Sequence, residues 1–239
     1  MELKDKRVLV TGGAIRIGRA ICLDLARQGA HICIHYNRSY NEALELQSEL
    51  EDLGVDAHLA EANLMTELAC QELMERAIAL MGGVDILINN ASVFNKQTID
   101  AADMDGWIGE LWPNFFAPVQ LMRAFAAQDL PGAIVNLLDR RITGRDTECV
   151  PYLISKKALA EVTRLAALHY APRIRVNAVA PGAVLPPPGE SASYIAEKAG
   201  PVPLQLQVTP EDIARSVRFV LEQEPLTGQI IYVDGGQHL

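Results

Sequence analysis

Apolar and polar positions along this chain fall into one repeating pattern. Val8-Leu9-Val10 is an apolar run that breaks at Thr11-Gly12-Gly13, after which Ile17, Ala20, Ile21, Leu25 and Ala26 recur at helical spacing until Gly29. That is a buried strand turning sharply into a helix. The pattern returns as a strand over 31–36, a helix over 41–53 in which acids alternate with leucines, a short strand over 55–60 and a helix over 66–81 ending at Gly82-Gly83. Residues 84–88 are almost continuously apolar, as a central parallel strand buried on both faces should be. A loop over 95–102 and a long helical region over 103–130 follow; the region holds Pro113 and Pro118, which a helix does not accept without a reason. A strand over 133–138, a helix over 151–170 and a strand over 174–179 come next. The irregular stretch over 183–208, with Pro186-Pro187-Pro188, is long for a loop and reads as a lid over a pocket. Thr209-Pro210-Glu211-Asp212 caps a helix to Leu221, and a last strand spans 229–233.

About seven such alternations predict an α/β chain with an open parallel sheet and helices on both faces, in a single domain over 1–239. Ligands of such sheets bind beyond the carboxyl ends of the strands, where Thr11, Arg38, Asn89, Asp139 and Ala180 lie.

Composition narrows the partners. With 239 residues and 49% hydrophobic content the chain supports one large core, and a net charge of −9 without a basic track argues against nucleic acid. The charged start, Met1 to Lys6, and the lack of any apolar run near ~20 residues predict a soluble cytoplasmic protein without leader or membrane helix. Cys22, Cys33, Cys70 and Cys149 lack metal-ligand spacing and read as buried thiols. The five histidines, His35 among them, are expected on strand or helix surfaces, and no metal site is expected.

Candidate chemistry gathers at the predicted carboxyl edge. Gly12 allows the tight first turn, Gly18 allows close packing or close approach of a ligand, and the N–H groups of the new helix attract an anion, so this turn suits a dinucleotide pyrophosphate. The second strand exits through Tyr36-Asn37-Arg38-Ser39 without the acid that would grip a ribose 2′-hydroxyl. Arg38, Ser39 and Arg16 therefore point to the 2′-phosphate of NADPH, although either arginine could be a solvated charge. Asn63, at the third strand's exit, suits an adenine edge or an ordinary turn. Tyr152 and Lys156 are four apart on one helix, where the ammonium is expected to favour the phenolate and bring the tyrosine nearer to working range as an acid.

With these residues in view, the whole chain resembles the short-chain dehydrogenase/reductase family, a Rossmann fold with a doubly wound, seven-stranded parallel sheet. Thr11-Gly12 with Gly18 is similar to its cofactor turn, which implies Arg16 and Ile17 as cofactor contacts. Asn89-Asn90-Ala91 is similar to its fourth-strand motif, Tyr152-x-x-x-Lys156 to its catalytic pair, Pro181-Gly182 to the turn before its substrate loop and Asp234-Gly235-Gly236 to its C-terminal signature. The resemblance implies that Lys156 holds the nicotinamide ribose, that Asn114 orders a proton-relay water, and that the chain assembles as a homotetramer. Trp107, Trp112 and the following phenylalanines are expected in a subunit interface or core. Three departures, Arg16 for a glycine, Ser92 for a glycine and Asp139 for the usual serine, resemble the pteridine reductase branch. The resemblance then implies reduction of a dihydropterin, with dihydrofolate possible and a 3-ketoacyl thioester as the rival. A carboxylate at Asp139 can accept from the donor-rich pterin edge or relay a proton to Tyr152. Phe94 offers a stacking face and Arg16 and Ser92 polar contacts; packing for Phe94 and an ion pair of Asp139 with Arg140 or Arg141 are the alternatives.

Overall fold

The computed structural model describes residues 1–186, 195 and 202–239. Seven strands, β1 Arg7–Val10, β2 His31–Tyr36, β3 Ala57–Glu61, β4 Ile86–Asn89, β5 Gly132–Leu137, β6 Ile174–Pro181 and β7 Ile230–Val233, form one sheet. Its order is β3-β2-β1-β4-β5-β6-β7 with every pairing parallel. The fold is thus the Rossmann-like α/β architecture that the alternation predicts.

Period-two alternation builds the two layers. Val8 and Val10 of β1, Ile86 and Ile88 of β4 and Val135 of β5 face the core of helices α1 (Arg16–Ala26), α2 (Tyr40–Asp52) and α7 (Pro210–Glu222). Leu9, Leu87 and Ile134 face the opposite core of α3 (Glu67–Met81), α5 (Ala117–Ala126) and α6 (Val150–Tyr170). The chain runs outward from β1 to β3 and then restarts on the other side at β4. The β1/β4 junction is therefore the point where the strand order reverses and a crevice opens at the carboxyl edge.

The expected long helix over 103–130 is three pieces: α4 (Met104–Leu111), a π-helical turn (Trp112–Phe116) and α5. Two prolines cause the slip. Pro113 brings no N–H to the α-helical ladder, and Pro118 both lacks the N–H that would serve the Asn114 carbonyl and crowds it. The ladder widens, and the Ala117 N–H bonds to Trp112 O. The third strand starts two residues later than expected and β4 ends on Asn89. The capping box at Thr209 forms as predicted, with reciprocal bonds to Asp212. All four cysteines are buried and free. Most of the expected lid over 183–208 lies outside the described residues.

Candidate active site

Gly12 follows β1 at φ +60°, and a Cβ there would stand 3.1 Å from Ala91 Cα, so any side chain would be both strained and crowded between the β1 and β4 exits. Thr11 and Asn90 stitch these exits together. The Thr11 hydroxyl donates to Ile88 O at 3.2 Å and accepts from the Asn90 and Ala91 N–H groups at 2.9 and 3.0 Å. Asn90 Nδ2 donates to Thr11 O at 2.8 Å and Gly12 O at 3.0 Å. A Cβ on Gly18 would lie 2.1 Å from Gly12 O, which decides for close packing at that position.

One expectation about this turn is overturned. His35 is not on a surface: it is 2% exposed, its Nδ1 accepts the Gly12 N–H at 3.0 Å, and its Nε2 pairs with Ala62 O at 3.1 Å. β2 lies inside the sheet, so even its polar positions are covered, and burial pushes the imidazole down to about 4. Neutral His35 therefore braces the glycine-rich turn from behind.

In front of the turn lies a cleft of about 480 Å3. Gly12, Ala91 and Ser92 line it at the sheet edge, Tyr36, Asn37, Arg38 and Ser39 at the β2 exit, and Asn63 beyond β3. Arg16 stands at φ +55°, the left-handed region where the resembled family has glycine, and donates from Nη2 to Pro186 O at 2.9 Å. Partial burial lowers its guanidinium, and it has no carboxylate partner among the described residues. Ile17 follows on α1, half-buried against the core. An open crevice, an N–H-rich turn and an acid-free arginine fit a dinucleotide with an anionic centre. Pro181 ends β6, and a Cβ on Gly182 would meet Asp234 Cα at 2.8 Å, so this turn is packed onto the C-terminal signature.

Beyond the cleft, β5 delivers Asp139 and α6 delivers Tyr152. The Tyr152 hydroxyl donates to Asp139 Oδ2 at 2.9 Å. Arg141 holds the same carboxylate through its backbone N–H at 2.8 Å and through Nη1 at 3.0 Å, and also pairs with Asp146 at 3.1 Å. The ion pair weighed as an alternative for Asp139 thus coexists with the tyrosine contact. Phe94 sets its ring edge-on to Tyr152, centroids 4.8 Å apart, and the Arg141 guanidinium lies 5.4 Å from the Phe94 centroid.

The expected effect of Lys156 on Tyr152 is not found. Burial first, then the Asp139 charge and its hydrogen bond, raise the phenol well above its ordinary value. Lys156 Nζ instead donates to Leu137 O at 2.9 Å and stays 5.9 Å from the Tyr152 ring centroid, while burial brings its ammonium down to about 8. Four-residue spacing puts both side chains on one helix face, but the group nearest the phenol comes from another strand.

Asn114 sits in the π turn with its amide fully engaged. Oδ1 accepts from Ser92 Oγ at 2.8 Å and Val93 N at 3.0 Å, while Nδ2 donates to Val93 O at 2.9 Å and Glu110 Oε2 at 2.8 Å. Glu110 escaped the sequence reading. The signal was available in an acid four residues before Asn114, in a segment otherwise rich in apolar and aromatic residues.

Residues 6–193 match the family model described as short chain dehydrogenase. The chain belongs to the short-chain dehydrogenase family. Among solved members, it is similar to a FolM alternative dihydrofolate reductase 1 from Brucella canis complexed with NADP, at 36% identity and a TM-score of 0.93, over 99% of this chain and 95% of that one. A short chain dehydrogenase from Burkholderia cenocepacia J2315, in complex with NADP, superimposes with a TM-score of 0.92 at 31% identity over the full length of both chains. Among curated relatives, the 3-oxoacyl-[acyl-carrier-protein] reductase FabG of Staphylococcus epidermidis is 28% identical over 98% of this chain and 100% of its own. As a short-chain dehydrogenase the protein is an oxidoreductase, and among its described residues no helix is long and apolar enough to cross a membrane.

Proposed function

We propose that this short-chain dehydrogenase is an NADPH-dependent reductase of a pterin, taking a dihydropterin of the monapterin or biopterin type, or dihydrofolate, to the tetrahydro form. The cofactor's diphosphate would lie over Gly12, Arg16, Ile17 and Gly18 within the scaffold of Thr11, Asn90 and Ala91, its adenosine phosphate near Tyr36, Asn37, Arg38 and Ser39, and its adenine near Asn63. Ser92, Tyr152, Lys156, Pro181 and Gly182 would flank its nicotinamide half. When bound, NADPH supplies the hydride.

The observation that carries the substrate assignment is the hydrogen bond between Tyr152 and Asp139. A carboxylate against the catalytic phenol would repel the oxyanion that develops in carbonyl reduction. The same carboxylate suits a ring whose edge is rich in N–H donors and whose nitrogen gains a proton as the adjacent carbon gains hydride. Tyr152 turns its hydroxyl proton from Asp139 to that ring nitrogen, and Asp139, held by Arg141, accepts from an N–H of the substrate edge in its place. Phe94 provides an aromatic face beside the phenol, Ser92 lines the cleft, and Arg16 would supply a further polar contact to the substrate. Lys156 keeps a positive charge below this centre, and Asn114 would hold a relay water through its carbonyl, whose α-helical donor is missing at Pro118. The assembly we propose is a homotetramer.

The test is NADPH consumption by the purified protein with dihydromonapterin, dihydrobiopterin, dihydrofolate and an acetoacetyl thioester in parallel. Turnover of a pterin is expected; turnover of the thioester alone overturns the substrate assignment in favour of a ketoacyl reductase.

A further inference from the structure

Glu110, the penultimate residue of α4, has no exposed surface. Burying a carboxylate is unfavourable, and an apolar side chain of similar volume would serve packing at least as well. Its two oxygens explain its presence. Oε1 accepts from the Asn95 backbone N–H at 2.6 Å and from Asn95 Nδ2 at 2.8 Å, and Oε2 accepts from Asn114 Nδ2 at 2.8 Å. All three partners are N–H donors, so the acceptor-only carboxylate satisfies them and an amide in its place would set N–H against N–H. The Asn114 orientation is fixed independently, because Val93 engages both ends of its amide.

These bonds converge on one short segment. Asn114 grips Ser92 and Val93, Glu110 grips Asn95, and Phe94 lies between the two clamps with its ring against Tyr152. Glu110 and Asp139 also both favour the Lys156 ammonium against its burial.

We propose that Glu110 is a positioning residue for substrate recognition: through Asn95 and Asn114 it fixes residues 92–95, and with them the Phe94 ring against which a flat substrate is held. The identity of that substrate rests on the pterin reading; the clamp does not.

The test compares Glu110→Gln and Asn95→Ala with the unaltered enzyme, using whichever compound of the substrate panel the latter reduces, so that failure of the pterin reading leaves this comparison intact. For Glu110→Gln the substrate KM should rise at least about tenfold, the scale of a lost charge-assisted hydrogen bond. NADPH affinity, read by fluorescence titration, should fall by a clearly smaller factor than KM rises. Asn95 is exposed, so its truncation leaves no cavity. It should raise KM in the same direction by a smaller factor, with only a small fall in Tm because the Asn95 backbone N–H still serves Glu110 Oε1. Unaltered KM in Asn95→Ala overturns the proposal, as does a fall in NADPH affinity that matches the rise in KM. If Glu110→Gln does not fold, Asn95→Ala alone decides.

Discussion

At the scale of single residues, the site is governed by which charge stands nearest to which proton. Tyr152 shares its hydroxyl with Asp139 at 2.9 Å, and burial with that carboxylate holds the phenol protonated. Tyr152→Phe removes the proton donor without altering the cleft, so kcat should fall about a hundredfold or more while NADPH affinity is kept; stopped-flow turnover and cofactor titration check both. Asp139→Asn should depress pterin turnover comparably, because an amide can present N–H to the donor-rich edge. His35 gives a pH signature. Its folded value of about 4 lies below the ordinary 6.5, so between those values the unfolded chain binds more protons and stability falls as the solution is acidified. The contribution lost between pH 7 and pH 5 is about 2 kcal/mol. In His35→Gln, whose amide oxygen can still accept from Gly12, urea melts should show a smaller loss over the same interval. The identity of Tyr152, Lys156 and Asp139 as chemical groups was legible in the sequence. The direction of the Tyr152 shift was not, because helix spacing shows which residues share a face and not which neighbour another strand brings to that face.

At the scale of elements, the cofactor turn and the broken helix differ in how much the sequence discloses. Gly18 packs its α-carbon against the carbonyl of Gly12, where a methyl group would have to sit 2.1 Å from oxygen. Gly18→Ala should therefore cost at least about 2 kcal/mol in chemical denaturation and weaken NADPH binding, since relief requires the turn itself to move. The turn is readable because its constraints are local. The π turn at Trp112–Phe116 is half readable: the prolines announce a defect, and only the packed structure shows that Asn114 within it bonds Ser92 and Val93 beyond the β4 exit.

At the scale of the molecule, α6 carries large apolar side chains that are left exposed. Ile154, Leu165 and Leu168 of α6 lie along one face, 44%, 54% and 79% exposed, on the same layer as Phe116 of the π turn. A monomer rarely shows such apolar stripes without a partner. The tetramer proposed above should cover them, so light scattering should give about four times the 26.1 kDa chain mass. Leu165→Glu with Leu168→Glu should yield a smaller species; a monomeric parent protein overturns the assembly. The sequence by itself determined the strand–helix alternation, the parallel sheet, the glycine-rich turn after β1 and the sharing of one helix by Tyr152 and Lys156. Each follows from local periodicity or from backbone needs within a few residues. Only the tertiary structure decided the covering of His35, the Asp139–Tyr152–Arg141 contact and the clamp at Glu110. These depend on desolvation and on distances between segments far apart in the chain, and both quantities exist only once the sheet has brought those segments together.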